Sequence, residues 1–222
     1  MSSHTSGTIN VPAPSIETNR VLRNTYALLA LTLLFSSVTA AITVALSLPY
    51  PGLVLTLVGY FGLLFLTTRY RNSGIGLAMV FALTGFMGYT LGPLLNVYLN
   101  LLNGPQLVMN AFGGTGVTFL ALSGYILVSR KDLSFMGGFL MAGILVAFLA
   151  GLAAMFFDMN GLGLAVSAMF VALMAGLILY ETSNIIHGGE TNYIMATVTL
   201  FVAIYNLFTS LLHLLGAAGG QE

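Results

Sequence analysis

Long uncharged stretches are the feature that most constrains this chain. Asp, Glu, Lys and Arg are absent from Asn24 to Thr68, and again from Asn72 to Ser129. About 20 apolar residues are enough for a helix to cross the hydrocarbon core of a bilayer. Charged residues make up 5% of the chain, whereas soluble domains carry about a quarter. The sequence therefore predicts an all-α integral membrane protein that lies in the lipid bilayer.

Composition excludes several other classes of site. The chain has no cysteine, which removes disulfides, thiolate nucleophiles and iron–sulfur ligands. Its formal net charge is zero and its few basic residues are scattered, so no nucleic-acid partner is expected. Motifs for a serine nucleophile, a zinc protease or a phosphate loop are also missing from the sequence. We therefore expect a protein that is not an enzyme and needs no cofactor.

Polar turns divide the apolar sequence into seven predicted transmembrane helices. One turn is the Pro-Tyr-Pro-Gly sequence at residues 49–52, because proline and glycine interrupt helices. Residues 1–19, rich in Ser, Thr, Asn and Pro, are predicted to form a disordered cytoplasmic tail. Residues 20–222 are expected to form a single seven-helix transmembrane domain. Its helices are predicted at residues 26–48, 53–68, 74–97, 107–128, 133–157, 162–186 and 193–216.

Basic residues predict the orientation in the membrane. They occur in three pairs, at the start of helix one, after helix two and after helix four, and the other loops between helices have none. Cytoplasmic loops carry an excess of Lys and Arg, so these three segments are expected on the cytoplasmic side. Seven crossings then place the C-terminus on the periplasmic side. The pairs are Arg20 with Arg23, Arg69 with Arg71, and Arg130 with Lys131.

Two helices carry polar side chains along one face. In helix one these are Thr32, Ser36, Thr39 and Thr43; in helix seven they are Thr199, Asn206, Ser210 and His213, with the small Ala203 between them. A polar face is costly against lipid, so both faces are expected to turn inward, with helix seven at the centre. Alternatively, Ser and Thr hydroxyls bond to carbonyls of their own helix and need no partner.

Glu181 is the one carboxylate within a continuous apolar run, which makes it a candidate functional residue. Asn184 and Gly188 share its face by their spacing. Burial favours the neutral carboxyl, whereas an arginine favours the charged form. Arg69 or Arg71, expected at the same side of the membrane, could supply that partner. Two interpretations stay open: a protonation-sensitive latch that senses pH, or a fixed or hydrated structural group.

Four sequence segments resemble a known family. They are VLRNTY at residues 21–26, GFMGYTLGP at 85–93, RKDLSF at 130–135 and ETSNIIHGGETNY at 181–193. They resemble bacterial members of the Bax inhibitor-1 family, also called the transmembrane Bax-inhibitor-motif family. This resemblance implies a seven-helix bundle whose last helix is surrounded by the other six. It also implies a bacterial inner-membrane protein that modulates, and is degraded by, the ATP-dependent protease FtsH, with the membrane proteins associated with FtsH as further partners.

The resemblance also implies an alternative function. Some family members form a pH-sensitive calcium leak, in which an acid of helix six pairs with an aspartate of helix seven and an arginine of helix two latches the pair. On this sequence the acid falls on Glu181, the arginine on Arg69 or Arg71, and the aspartate on Ala203. A single carboxylate cannot form that pair. Calcium, if bound, would need Glu181 together with neutral oxygens such as those of Asn206 and Thr199.

Overall fold

The computed structural model describes residues 16–219, and within them the chain forms seven α-helices and one short 3-10 turn. The prediction of seven helices is confirmed. Positions 16–19 belong to the first helix, while the rest of the predicted tail, residues 1–15, lies outside the described residues. In order, the elements are α1 (Ile16–Ala45), α2 (Leu53–Arg69), α3 (Gly74–Leu99), α4 (Gly104–Ser129), the 3-10 turn (Ser134–Met136), α5 (Gly137–Phe156), α6 (Asn160–Ile186) and α7 (Tyr193–Gly219).

Six of the described helices are long and apolar enough to cross a membrane, and α2 is shorter. With 17 residues, α2 is about 25 Å long, against a hydrocarbon core of about 30 Å. The predicted boundaries differ from the observed ones at several places. The largest difference is in α1, which is predicted at residues 26–48 and spans Ile16–Ala45; two others are at the starts of α4 and α5. Helix α4 begins at Gly104 because Pro105 fits its first turn, and α5 begins only after the 3-10 turn.

Helix α7 carries more buried positions than any other described helix. It packs against α1, α3, α4 and α6. In contrast, α2 packs mainly on α3 and α5 packs mainly on α6. The expected ring of all six helices around α7 is therefore not confirmed, although four of them contact it.

The polar face of α1 turns inward, where it meets glycines of α3. Thr32, Ser36 and Thr43 are buried. A Cβ atom at Gly88 would clash with the Ser36 carbonyl oxygen, and one at Gly92 would clash with the Thr43 side chain. Small residues thus allow the two backbones to approach closely, as is common between helices in lipid.

The helical bundle has two ends, which we call the basic end and the far end. The basic end carries the α2–α3 turn, the α4–α5 loop and the α6–α7 loop, and side chains join these segments: Asn192 donates from Nδ2 to the Arg71 carbonyl oxygen over 3.1 Å. The far end carries the remaining turns and the end of α7, where Gly216 packs against the Tyr98 ring. Glu181 lies toward the basic end, and His213 toward the far end.

Candidate functional site

Glu181 lies in the last two turns of α6 and is buried, with 4% of its surface exposed. Its Oε1 atom is buried and has no hydrogen-bond partner among residues 16–219. A buried carboxylate oxygen without a partner is costly, and in native structures it calls for a proton, a water molecule or an ion. Glu181, the predicted functional acid, therefore lies at a buried position where a charged carboxylate is energetically costly.

The two residues after Glu181 fasten α6 to its neighbours. The Thr182 hydroxyl lies 3.4 Å from the Tyr26 hydroxyl of α1 and 3.3 Å from the Ser123 hydroxyl of α4. The Ser183 hydroxyl donates to the Lys131 carbonyl oxygen over 3.0 Å and accepts from the Leu133 amide over 2.9 Å. In the sequence, the only signal for these two residues is their position directly after Glu181.

The expected arginine partner is not found at Glu181. Arg69 and Arg71 are both exposed. The Arg69 guanidinium lies 5.8 Å from the centre of the Tyr70 ring. Asn184 lies about one turn after Glu181 on α6 and is half-buried, and Glu190 lies in the α6–α7 loop. The physical reason is helix order: α2 packs mainly on α3, so its C-terminal arginines lie on the surface of the basic end.

The α6–α7 loop is ordered by its own polar side chains. Glu190 Oε1 accepts a hydrogen bond from the Asn192 amide over 2.7 Å. Asn192 Oδ1 accepts from the amides of Ile194 and Met195, over 3.0 and 3.1 Å, and so caps α7. Asn192 Nδ2 also donates to Asn72 Oδ1 over 2.7 Å. Beside this loop, a cavity of about 500 Å³ opens toward the start of α1.

A hydrogen-bonded carboxylate also marks the α4–α5 loop, outside the membrane-spanning segments. The backbone amide and the hydroxyl of Ser134 both donate to Asp132 Oδ1. These bonds stabilise the charged form and lower the pKa of the Asp132 carboxyl. The two contacts fix the turn that leads into α5.

The predicted polar face of α7 does not gather around Glu181. Ala203 is fully buried among apolar side chains of α5, α6 and α7, and Thr199 is half-buried. Asn206, Ser210 and His213 instead line a cavity of about 410 Å³ at the far end, together with Ser167 of α6. Ser167 and Glu181 are 14 residues apart on one helix, which is about 21 Å.

One of the neutral oxygens predicted to help Glu181 bind calcium lies elsewhere. Asn206 lines the far-end cavity, away from Glu181. No group of three or more His, Cys, Asp or Glu side chains suited to a metal ion occurs among residues 16–219. An oxygen-rich calcium site normally has six or more ligands, which can include carbonyl oxygens and water. Calcium binding at Glu181 therefore stays a prediction.

Comparison with known proteins gives consistent results. A family model described as "Inhibitor of apoptosis-promoting Bax1" matches residues 18–220. A protein of Escherichia coli strain K12 named "Modulator of FtsH protease YccA" is 54% identical over 91% of this chain and 92% of its own length. An uncharacterised membrane protein of Vibrio cholerae is 44% identical over 94% of both chains. This chain is therefore a multi-pass membrane protein of the Bax inhibitor-1 family.

Proposed function

We propose that this protein modulates an FtsH-type membrane-anchored protease and does so by binding rather than by catalysis. The observation that carries the proposal is the 54% identity, over 91% of the chain, to a protein named as a modulator of that protease. The match covers nearly the whole length of both chains. We place the protein in the bacterial inner membrane, in the membrane protein quality-control system.

We further propose that the basic end faces the cytoplasm and the C-terminus faces the periplasm. The three pairs of basic residues support this orientation through the excess of Lys and Arg on cytoplasmic segments. Residues 1–15, which contain no Asp, Glu, Lys or Arg, then precede α1 on the cytoplasmic side. They supply a starting segment that the protease can engage.

Exposed apolar side chains of α2 offer a surface to protein partners within the membrane. On α2, Val54, Val58, Phe61 and Phe65 recur at helical spacing, and 48% to 76% of each side chain is exposed. Helix α7 carries the most buried positions among the described helices and packs against four others. We expect the exposed face of α2 to contact lipid or the membrane segments of the protease and its associated proteins.

Co-reconstitution of the full chain with an FtsH-type protease tests the proposal. We expect the protein to slow degradation of a second membrane substrate, and to be degraded itself. Deletion of residues 2–15 should prolong its lifetime, whereas replacing them with a Gly-Ser segment of equal length should not, because the starting segment is retained. If neither turnover of the protein nor protease activity toward the second substrate changes on deletion, the proposed handle is wrong.

A second candidate function is a proton-gated cation leak, with calcium as one possible ion. The observation that favours it is the buried Oε1 of Glu181, which lacks a partner among the described residues. Loss of its proton would place a charge in the bundle and attract a cation. Vesicles loaded with a calcium indicator test it over about pH 6 to 8. Absence of flux would remove this candidate. Equal flux in wild type and Glu181→Gln would also remove it, with Asp158→Asn in the exposed α5–α6 turn as the control.

A further inference from the structure

The far-end cavity carries a set of side chains that the proposed function does not use. It has a volume of about 410 Å³ and lies between the end of α5, the first turns of α6 and the last turns of α7. Its lining includes the polar residues Ser167, Asn206 and His213. Met155 and Met159 are also among the lining residues. No Asp, Glu, Lys or Arg is among the lining residues.

Hydrogen bonds hold the His213 ring. The Ser167 hydroxyl lies within hydrogen-bond distance of the Gly163 carbonyl oxygen, at 3.1 Å, and of His213 Nδ1, at 2.7 Å. Which group donates in the second contact depends on the tautomer of the histidine. With either tautomer Nδ1 is engaged by Ser167, so Nε2 is the ring nitrogen that can bind a ligand.

The methionines line the same cavity as this ring. The His213 Cε1 atom is 3.6 Å from the position of a Cβ atom at Gly163, so the ring packs on the first turn of α6. Met159 is one turn earlier, and its carbonyl oxygen accepts from the Gly163 amide over 3.0 Å. The side chains of Met155 and Met159 are 56% and 51% exposed. Their three rotatable bonds allow the sulfur atoms to move within the cavity.

The ligand types decide which ion fits. Hard cations such as calcium and magnesium require carboxylate or carbonyl oxygens, and carboxylates are missing from the lining. Thioether sulfur and imidazole nitrogen are soft or borderline ligands, and thioethers favour Cu(I). We propose that the far-end cavity binds a soft monovalent metal ion, Cu(I) or its analogue Ag(I), through His213 Nε2 and the sulfur atoms of Met155 and Met159.

Hydrogen bonding in the second layer supports this geometry. The Nδ1–H group of a metal-binding histidine usually donates to an oxygen, which fixes the ring and raises the basicity of Nε2. Ser167 supplies that oxygen here. The imidazole is thus held on α7, while one sulfur ligand comes from the end of α5 and the other from the α5–α6 turn, so the bound ion would join three elements.

Titration of the detergent-solubilised full chain with Ag(I), in buffer free of chloride and thiols, tests the proposal by calorimetry. We expect one ion per chain at this site. His213→Gln and the Met155→Leu/Met159→Leu double variant should each weaken its binding by at least about 10-fold. Methionine labelled with ¹³C at the methyl group should report Ag(I) through shifts of the Met155 and Met159 signals.

Matched controls separate this site from nonspecific binding. His187 also has Nδ1 engaged, at 2.8 Å from the Ser183 carbonyl oxygen, but it lies at the basic end; His187→Gln should leave binding unchanged. Met109 and Met141 are also exposed, with 71% and 72% of their surface accessible. The Met109→Leu/Met141→Leu variant should bind Ag(I) normally. The Met-to-Leu changes conserve volume, so they remain informative if His213→Gln does not fold. Absence of binding, or equal loss in the control variants, would overturn the proposal.

Discussion

Removal of the Ser183 hydroxyl is expected to loosen the α4–α5 loop from α6. In Ser183→Ala, the Lys131 carbonyl oxygen and the Leu133 amide both lose their partner, at present 3.0 and 2.9 Å away. Ser183 itself is fully buried, so water cannot replace its hydroxyl without a rearrangement of the loop. Each lost hydrogen bond is worth about 1 kcal/mol, and an unpaired buried group costs about 1–3 kcal/mol. Because both bonds are only partly buried, we expect the free energy of unfolding to fall by about 2 kcal/mol in total.

Two measurements check this loss. Equilibrium unfolding in mixed micelles should give a free energy of unfolding about 2 kcal/mol lower than that of the wild type. Hydrogen exchange should show faster exchange of the Leu133 amide in the variant. Ser37→Ala is the control, because the Ser37 hydroxyl is exposed and bonds only to the Leu33 carbonyl oxygen of its own helix. Equal stability of the Ser183 variant and wild type, with unchanged Leu133 exchange, would refute the proposed fastening of α6.

Three further predictions concern packing, capping and charge. Gly88→Ala places a Cβ against a backbone oxygen of α1 and should cost about 1–3 kcal/mol in unfolding free energy; Gly113→Ala, where the same atom meets nothing within 4 Å, should cost nothing. Asn192→Ala removes the cap of α7 and should lower the unfolding free energy by about 1–2 kcal/mol, whereas unchanged unfolding would argue against the cap. Ser134→Ala should raise the pKa of the Asp132 carboxyl toward its ordinary value, as read from an NMR titration, because it removes the hydroxyl donor, which is the largest cause of the lowered pKa. With its pKa lowered, Asp132 favours folding above its unfolded-state pKa and loses this effect as pH falls through the folded-state value.

The seven helices could be predicted because lipid imposes a simple rule on sequence. Long uncharged stretches must be helical, and short polar segments must be turns. The boundary at Gly104 was missed because Pro105 reads as part of a turn, although proline is compatible with the first turn of a helix. The 3-10 turn before α5 was missed because it depends on the bonds between Ser134 and Asp132, which periodicity does not reveal.

The burial of Glu181 could also be predicted, but its neighbours could not. A carboxylate inside an apolar run is a strong local signal. Whether Arg69 reaches it depends on whether α2 packs on α6 or on α3, and no local pattern decides that. Asn206 lines the far-end cavity together with Ser167. Because Ser167 and Glu181 are 14 residues apart on one helix, the separation of Glu181 from Asn206 was foreseeable in part. The pairing of Ser167 with His213 required knowledge of how α6 and α7 are aligned.

The effect of the intact protein on an FtsH-type protease is the most direct test of the proposed function. The measurement is the degradation rate of a second membrane substrate in vesicles that contain the protease, with and without an equimolar amount of this protein. A slower rate, which recovers as the protein itself is degraded, is the predicted result. An unchanged rate at every ratio of protein to protease would contradict the proposal.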